Sequence, residues 1–283
     1  MIKEHEIPNG SRLYFGSSAK LKREIEAVAS EILEDRGFEE IVTPFFSYHQ
    51  HKTLGTKEII RFSDESNNLI SLRADSTQDV VRLLTKRLGR SIEQKKWFYI
   101  QPVFRYPSLE INQIGAEFIG SDDLVSSIEI CGAVFKRFNL QPLLHVSNIK
   151  IPQIISNELG LDLGVFERGE LQKILSMRVD WLDKLASLQS IEEIEEVLKV
   201  VPESIKVELE KMRELARNCS YESVCLSPLY YVKMRYYDEL YFRFIYNNST
   251  LAKGGTYKSE GLESSGFGIY TDALIENLTK EKI

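Results

Sequence analysis

The sequence predicts an α+β protein, an antiparallel sheet flanked by helices with a helical segment inserted. Three observations carry this. Strand-like runs recur between residues 38 and 120 and return from about 226. From 150 to 217 the pattern is almost wholly helical. The strand runs come in pairs joined by short polar turns, which favours hairpins over parallel crossovers. A core of 1–147 and 226–283 is therefore expected, with a helical insert at 148–225.

The elements follow in order. Residues 18–36 place Leu21, Ile25, Val28, Ala29 and Ile32 at helical spacing, with Ser18 as N-cap and Gly37 as the C-terminal glycine. The run FEEIVTPFF alternates and reads as a strand broken by Pro44. IIRFS and LISLR flank the turn DESNN and read as two short strands. A second helix over 75–89 turns Val80, Val81, Leu84 and Leu88 inward. WFYIQPVFRY (97–106) pairs with INQIGAEFIG (111–120), and a third helix covers 122–138. After the insert, LYYVKMRYYDELYFRFIYNN is a strand dense in aromatics. A turn is expected at Gly254-Gly255, and GFGIYTDALIENL runs from strand into helix.

Composition narrows the function classes. The chain has 283 residues, 43% of them hydrophobic, enough for a packed core. Thirty-six Lys and Arg against 42 Asp and Glu leave a formal charge of −6, which argues against a general nucleic-acid binder. Cys131, Cys219 and Cys225 are too scattered for a disulfide framework or a zinc site. His49 and His51 have no third ligand nearby and read as surface-loop residues. No signal peptide or apolar run near the ~18 residues of a membrane span is visible, so a cytoplasmic location is expected.

Several segments, in order, resemble the catalytic core of class II histidyl-tRNA synthetases. NGSR resembles the family's Gly-x-Arg start, and the first helix with GFEEIVTPFF resembles motif 1, a dimer-forming element. LRADSTQDVVRLL resembles its Leu-Arg-Pro-Glu/Asp-x-Thr segment, and YIQPVFRY…NQIGAEFIG resembles motif 2. YYDELYF and KGGTYK resemble the two histidine-specific segments, and GFGIYTDALIENL stands where motif 3 belongs. The resemblance implies a class II synthetase-like core covering nearly the whole chain.

The departures bear on activity. Pro107 stands where motif 2 carries its ATP-contacting glutamate, and the long basic loop is cut to a few residues. Ala273 replaces the motif 3 arginine, Val232 the catalytic arginine and Thr256 the arginine after the paired glycines. Phosphate chemistry needs cations held at fixed points, and planar arginine is hard to replace there. Adenylate formation is therefore expected to be lost. The chain ends ten residues after Ala273, so the family's anticodon-binding domain is expected to be absent, and with it tRNA binding.

The amino-acid end of the family's pocket is matched by Asp75, Thr77, Gln113, Glu117, Tyr237 and Tyr257. The resemblance implies that Asp75 and Glu117 neutralise an α-ammonium group, with Thr77 and Gln113 completing its hydrogen bonds. Tyr237 and Tyr257 would hold an imidazole and Arg105 the carboxylate. Asp75 also reads as a plain helix N-cap, Glu117 as a strand-end carboxylate and Tyr236 as core. A pocket kept while the chemistry is stripped out is similar to the regulatory subunits of ATP phosphoribosyltransferase, catalytically inactive paralogues of the synthetases. That resemblance implies a non-catalytic protein of histidine biosynthesis without cofactor, metal or catalytic residues. Its partners would be the short-form catalytic subunit, a second copy bound through 18–46, and histidine as effector, in a hetero-octamer. Two other readings stay open. One is a divergent ATP-dependent amino-acid-activating enzyme using Lys233, Arg235, Lys253 and Lys258. The other is a synthetase-derived scaffold with a different partner.

Overall fold

The computed structural model describes residues 6–50, 55, 57–88, 93–232, 237–259 and 261–280. Helix α1 (Gly16–Asp35) buries Ile25, Ala29 and Leu33, one stripe at four-residue spacing. Ile25 and Leu33 each contribute about 2 kcal/mol when they leave water. Ser18 is not the N-cap as expected: it lies inside the first turn, where its Oγ accepts from Phe15 N at 3.1 Å. Gly37, at φ +79°, follows the helix as expected.

The run around Pro44 yields two fragments, β1 (Glu39–Glu40) and β2 (Phe46–Ser47). β1 pairs in parallel with β5 (Lys96–Arg105). β2 joins β3 (Arg61–Ser63) and β4 (Leu69–Leu72) in a small sheet of order β2-β4-β3. The β3–β4 turn is held by Asp64 Oδ1, which accepts from Ser66 N at 2.9 Å and Asn68 N at 2.8 Å. Helix α2 (Ser76–Leu83) buries Val80 and Val81. β5 and β6 (Leu109–Phe118) form an unbroken antiparallel pair from Lys96↔Phe118 to Arg105↔Leu109.

Helix α3 (Leu124–Arg137) is capped by Asp123, and β7 (Leu143–Asn148) follows. Six helices come next: α4 (Lys150–Leu159), α5 (Leu163–Glu167), α6 (Leu171–Leu175), α7 (Asp180–Ser187), α8 (Ile194–Leu198) and α9 (Glu203–Asn218). The chain closes with β8 (Val224–Leu226), β9 (Tyr237–Tyr246), β10 (Ser249–Ser259), β11 (Leu262–Tyr270) and α10 (Thr271–Lys280). The turn expected at Gly254-Gly255 is not there, because β10 runs through both glycines. The reversal comes at Asn247 and Asn248, with φ of +46° and +62°, a conformation asparagine tolerates better than most residues.

The chain divides into two compact units, residues 1–120 with 266–283, and residues 121–265. In the first, β1, β5, β6 and the end of β11 lie in that order. The even-numbered face of β6 packs on α10, where Asn112 N and Nδ2 donate to Asp272 at 2.8 and 3.0 Å. In the second, the order is β10-β9-β7-β8. Its even-numbered face carries Leu144, Val146, Phe242 and Phe244, and the Phe135 ring of α3 meets Phe244 edge-on at 5.1 Å. The expected insert lies wholly in this unit; Leu182, Leu185, Ile194, Ile205, Leu209 and Met212 are fully buried there. Among the described residues no helix is long and apolar enough to cross a membrane.

Arg73 ties the first unit together. It is fully buried, with its Nη1 donating to Thr43 O at 2.8 Å and Pro44 O at 3.3 Å. Nε and Nη2 donate to Pro102 O at 3.0 and 2.7 Å. The break in the first strand is thus where its carbonyls turn to a guanidinium instead of a ladder. Burial pulls Arg73 down to about 10, against the opposing pull of Asp79, so it stays charged at neutral pH. Arg73→Met should leave these carbonyls unpaired and cost about 3–5 kcal/mol, read as a lower urea midpoint. A loss below about 1 kcal/mol would show that water replaces the guanidinium.

Candidate functional site

The odd-numbered positions of β5 and β6 share one face of the first unit, because residues directly paired across strands point the same way. Trp97, Tyr99, Gln101 and Arg105 stand there opposite Glu117, Gly115, Gln113 and Leu109. Glu117 is 1% exposed, so its carboxylate is held in the interior. Tyr99 Oη donates to Glu117 Oε1 at 3.3 Å and lies 3.1 Å from Thr77 Oγ1. One polar chain therefore runs from the start of α2 through Tyr99 to β6.

Two glycines make room for it. A Cβ at Gly115 would fall 2.2 Å from the Tyr99 ring, and one at Gly266 would fall 2.0 Å from the Glu117 carboxylate. Neither position admits a side chain while the tyrosine and the carboxylate keep their places.

Asp75 caps α2: its Oδ1 accepts from Gln78 N at 3.1 Å, as the plainer reading of the sequence expects. Its backbone is clamped by buried Gln50, whose Oε1 accepts from Asp75 N and whose Nε2 donates to Asp75 O, both at 2.9 Å. Arg105 Nε donates to Ala74 O at 3.3 Å, one residue from Asp75. Gln113 is half-buried opposite Gln101, and Gln101 is committed to Thr43 at 3.0 Å. The first unit so brings Asp75, Thr77, Arg105, Gln113 and Glu117 to one side of a single hairpin.

Tyr237 and Tyr257 belong to the second unit. They are cross-strand partners on β9 and β10, both buried, with ring centroids 6.4 Å apart. Gly255 lets them close up, since a Cβ there would sit 2.8 Å from both the Tyr237 ring and Leu240 O. Tyr241 packs against Tyr237 at 5.7 Å, and Tyr230 stacks on Tyr241 at 5.8 Å. Tyr236, Lys233, Arg235 and His51 lie outside the described residues.

Sequence reasoning missed Tyr99, Gln50 and Tyr241. Tyr99 and Tyr241 had a legible signal, for each faces a strand glycine, Gly115 or Gly255, across the ladder. Gln50 had none, because its partners, the backbone of Ala74 and Asp75 and the carboxylate of Asp79, lie 24–29 residues away.

The positions that depart from the synthetase pattern carry other groups. Tyr106, Pro107 and Ser108 close the β5–β6 hairpin directly. At the start of α10, Asp272 accepts from Tyr14 Oη at 2.5 Å as well as from Asn112. Burial and this carboxylate hold the Tyr14 hydroxyl above its ordinary pKa.

Comparison with known proteins gives the family and the fold. Residues 14–274 match the histidyl-tRNA synthetase family. The chain is 46% identical over 281 residues to an ATP phosphoribosyltransferase regulatory subunit of Wolinella succinogenes, spanning 99% of this chain and 98% of that one. It is 42% identical over 279 residues to the corresponding protein of Helicobacter hepaticus, spanning 98% and 99%. Its fold is similar to the crystal structure of an ATP phosphoribosyltransferase regulatory subunit/histidyl-tRNA synthetase from Bacillus halodurans. The TM-score is 0.85 at 22% identity, over 98% of this chain and 84% of that one. That likeness carries the class II synthetase core the motifs implied. The chain belongs to the ATP phosphoribosyltransferase regulatory subunits, within the histidyl-tRNA synthetase family.

Proposed function

We propose that this chain is the non-catalytic partner of a short-form ATP phosphoribosyltransferase catalytic subunit in the cytoplasm, which it activates and on which it imposes feedback inhibition by histidine. One observation carries the reading. Nearly full-length similarity to regulatory subunits goes with a polar Asp75–Thr77–Tyr99–Glu117 face and with Pro107, Thr256 and Ala273 where the synthetases hold phosphate ligands. Such a chain keeps the means to recognise an amino acid and lacks the means to activate one.

Asp75 and Glu117 are the proposed counter-charges of the histidine ammonium, with Thr77 and Gln113 as hydrogen-bond partners and Arg105 for the carboxylate. The resemblance, rather than the geometry, keeps Tyr237 and Tyr257 as the proposed imidazole contacts. Regulation then follows from linkage. Histidine favours an assembly in which the catalytic subunit turns over poorly, and a coupling of about 1–3 kcal/mol gives roughly 5–150-fold control.

The direct test is phosphoribosyl transfer by the short catalytic subunit with and without this chain, across a histidine titration. Addition should raise the rate, and histidine should reverse the rise. No change at stoichiometric chain would remove this partner. ATP–pyrophosphate exchange, the signature of the activating-enzyme alternative, should stay at background.

Glu117→Gln tests the pocket. Removing one buried counter-charge should weaken histidine binding about tenfold or more by calorimetry, while the neutral isostere keeps the packing. An unchanged affinity would take Glu117 out of the site.

The proposed assembly contains a homodimer, nested in a hetero-octamer. Its support is an apolar surface on the first unit in and around the expected dimer element: Leu13, Phe15, Val42, Phe45, Phe46 and Tyr106 are all at least half exposed. Val42 is 77% exposed and Phe15 73%, the most exposed of these apolar side chains. Phe46→Asp should shift the chain toward monomer in sedimentation at micromolar concentration without lowering its helix signal. A dimer unaffected by this change would place the interface elsewhere.

A further inference from the structure

On the second unit, the odd-numbered face of β7, β9 and β10 carries a row of basic groups. His145 pairs with Arg243 across β7 and β9, and Arg243 pairs with Lys253 across β9 and β10. All three are half-exposed, while the opposite face is apolar core. Like charges directly opposite on neighbouring strands destabilise a sheet. The Arg243 charge therefore needs something to offset it.

Among the described residues, no carboxylate does so for Arg243. Its guanidinium carbon lies 3.9 Å from the centre of the Tyr230 ring, a cation–π contact. Its Nε is buried with no hydrogen-bond partner. A stranded donor on a buried guanidinium edge is rare in a folded protein and calls for a missing acceptor. The field at His145 agrees: burial and the Arg243 charge push its imidazole below the ordinary range. The groups facing His145 are Arg243 from β9, Cys225 from β8 and Ser227, whose Oγ lies 3.2 Å from Nδ1. On β9 the acid on the same face, Glu239, is committed to Lys150 and Lys211.

We propose that the His145–Arg243–Lys253 row binds a small molecule bearing phosphoryl groups, with Arg243 as its fork and Lys253 as its second charge. Three neighbouring strands set the outer positions about 9–10 Å apart, a span suited to a multi-oxygen anion rather than one carboxylate. Guanidinium geometry matches phosphate bidentately, and the Tyr230 ring against its face leaves the N–H edges as the route to a ligand. The site lies inside the second unit, whereas Asp75 and Glu117 belong to the first. Its occupation needs neither histidine nor a catalytic partner.

The test uses the full chain and inorganic pyrophosphate as probe, by calorimetry at fixed ionic strength, with sulfate as the charge control. Saturable binding is expected, weakened about tenfold or more by Arg243→Gln and about threefold or more by Lys253→Gln. Arg243→Lys, which keeps the charge and loses the fork, should fall between wild type and Arg243→Gln. The chain has four histidines, and pyrophosphate should raise the NMR titration midpoint of His145, since an added anion favours the imidazolium. No saturable binding at millimolar pyrophosphate would overturn the proposal. So would equal affinity in Arg243→Gln, equal affinity for sulfate, or an unmoved His145 midpoint. Histidine binding tests the other reading separately and should be unchanged in both glutamine variants.

Discussion

A buried guanidinium organises the first unit. Arg73 has no carboxylate among its hydrogen-bond partners; its donors go to Thr43, Pro44 and Pro102. A cation on backbone carbonyls is costly to bury, and its charge-assisted hydrogen bonds are what offset the lost water. Because those carbonyls belong to the segment after α1 and to β5, one side chain aligns both with β4. Its neighbours inherit the placement. Ala74 O receives Arg105, and Asp75 begins α2 at the level of the β5–β6 face.

That face is the proposed recognition site, and its polar groups are held without a ligand. Tyr99 and Glu117 occupy the space that Gly115 and Gly266 leave open, so the polar groups sit at defined points before any ligand arrives. Preorganised donors and acceptors of this kind favour binding, because little ordering entropy is lost when the ligand comes. Adenylate formation asks for something else: several cations aimed at a developing charge in a dry site. At the positions that the sequence resemblance matches to the synthetases' ATP-contacting glutamate and two of their arginines this chain has a proline, a threonine and an alanine. A regulatory role rests on that asymmetry, for an effector site needs differential binding between two states and no reacting group.

The elements whose signal is local were legible in advance. The α1 stripe, the Asp64–Asn68 turn, the Asp75 cap and the long β5–β6 hairpin depend on neighbours within a few residues, and each stands where its pattern indicates. The misreadings have a common cause. Ser18 has a good capping side chain, yet the chain enters α1 one turn earlier, at Phe15. Gly254-Gly255 reads as a turn, yet the pair serves close packing in mid-strand, with Tyr237 against Gly255. A glycine states that something comes close; it does not say whether that is a turning backbone or a ring from the next strand.

The sequence by itself determined the family and the α+β class. Those properties are written in the identity and order of side chains. Only the tertiary structure decided which of these side chains meet. Thr77, Tyr99 and Glu117 join because strand register sets Tyr99 against Gly115 and Trp97 against Glu117. His145, Arg243 and Lys253 fall in line because three strands separated by up to 108 residues share one register. Register is a property of pairing, fixed by the whole buried face of a sheet, and no single strand contains it.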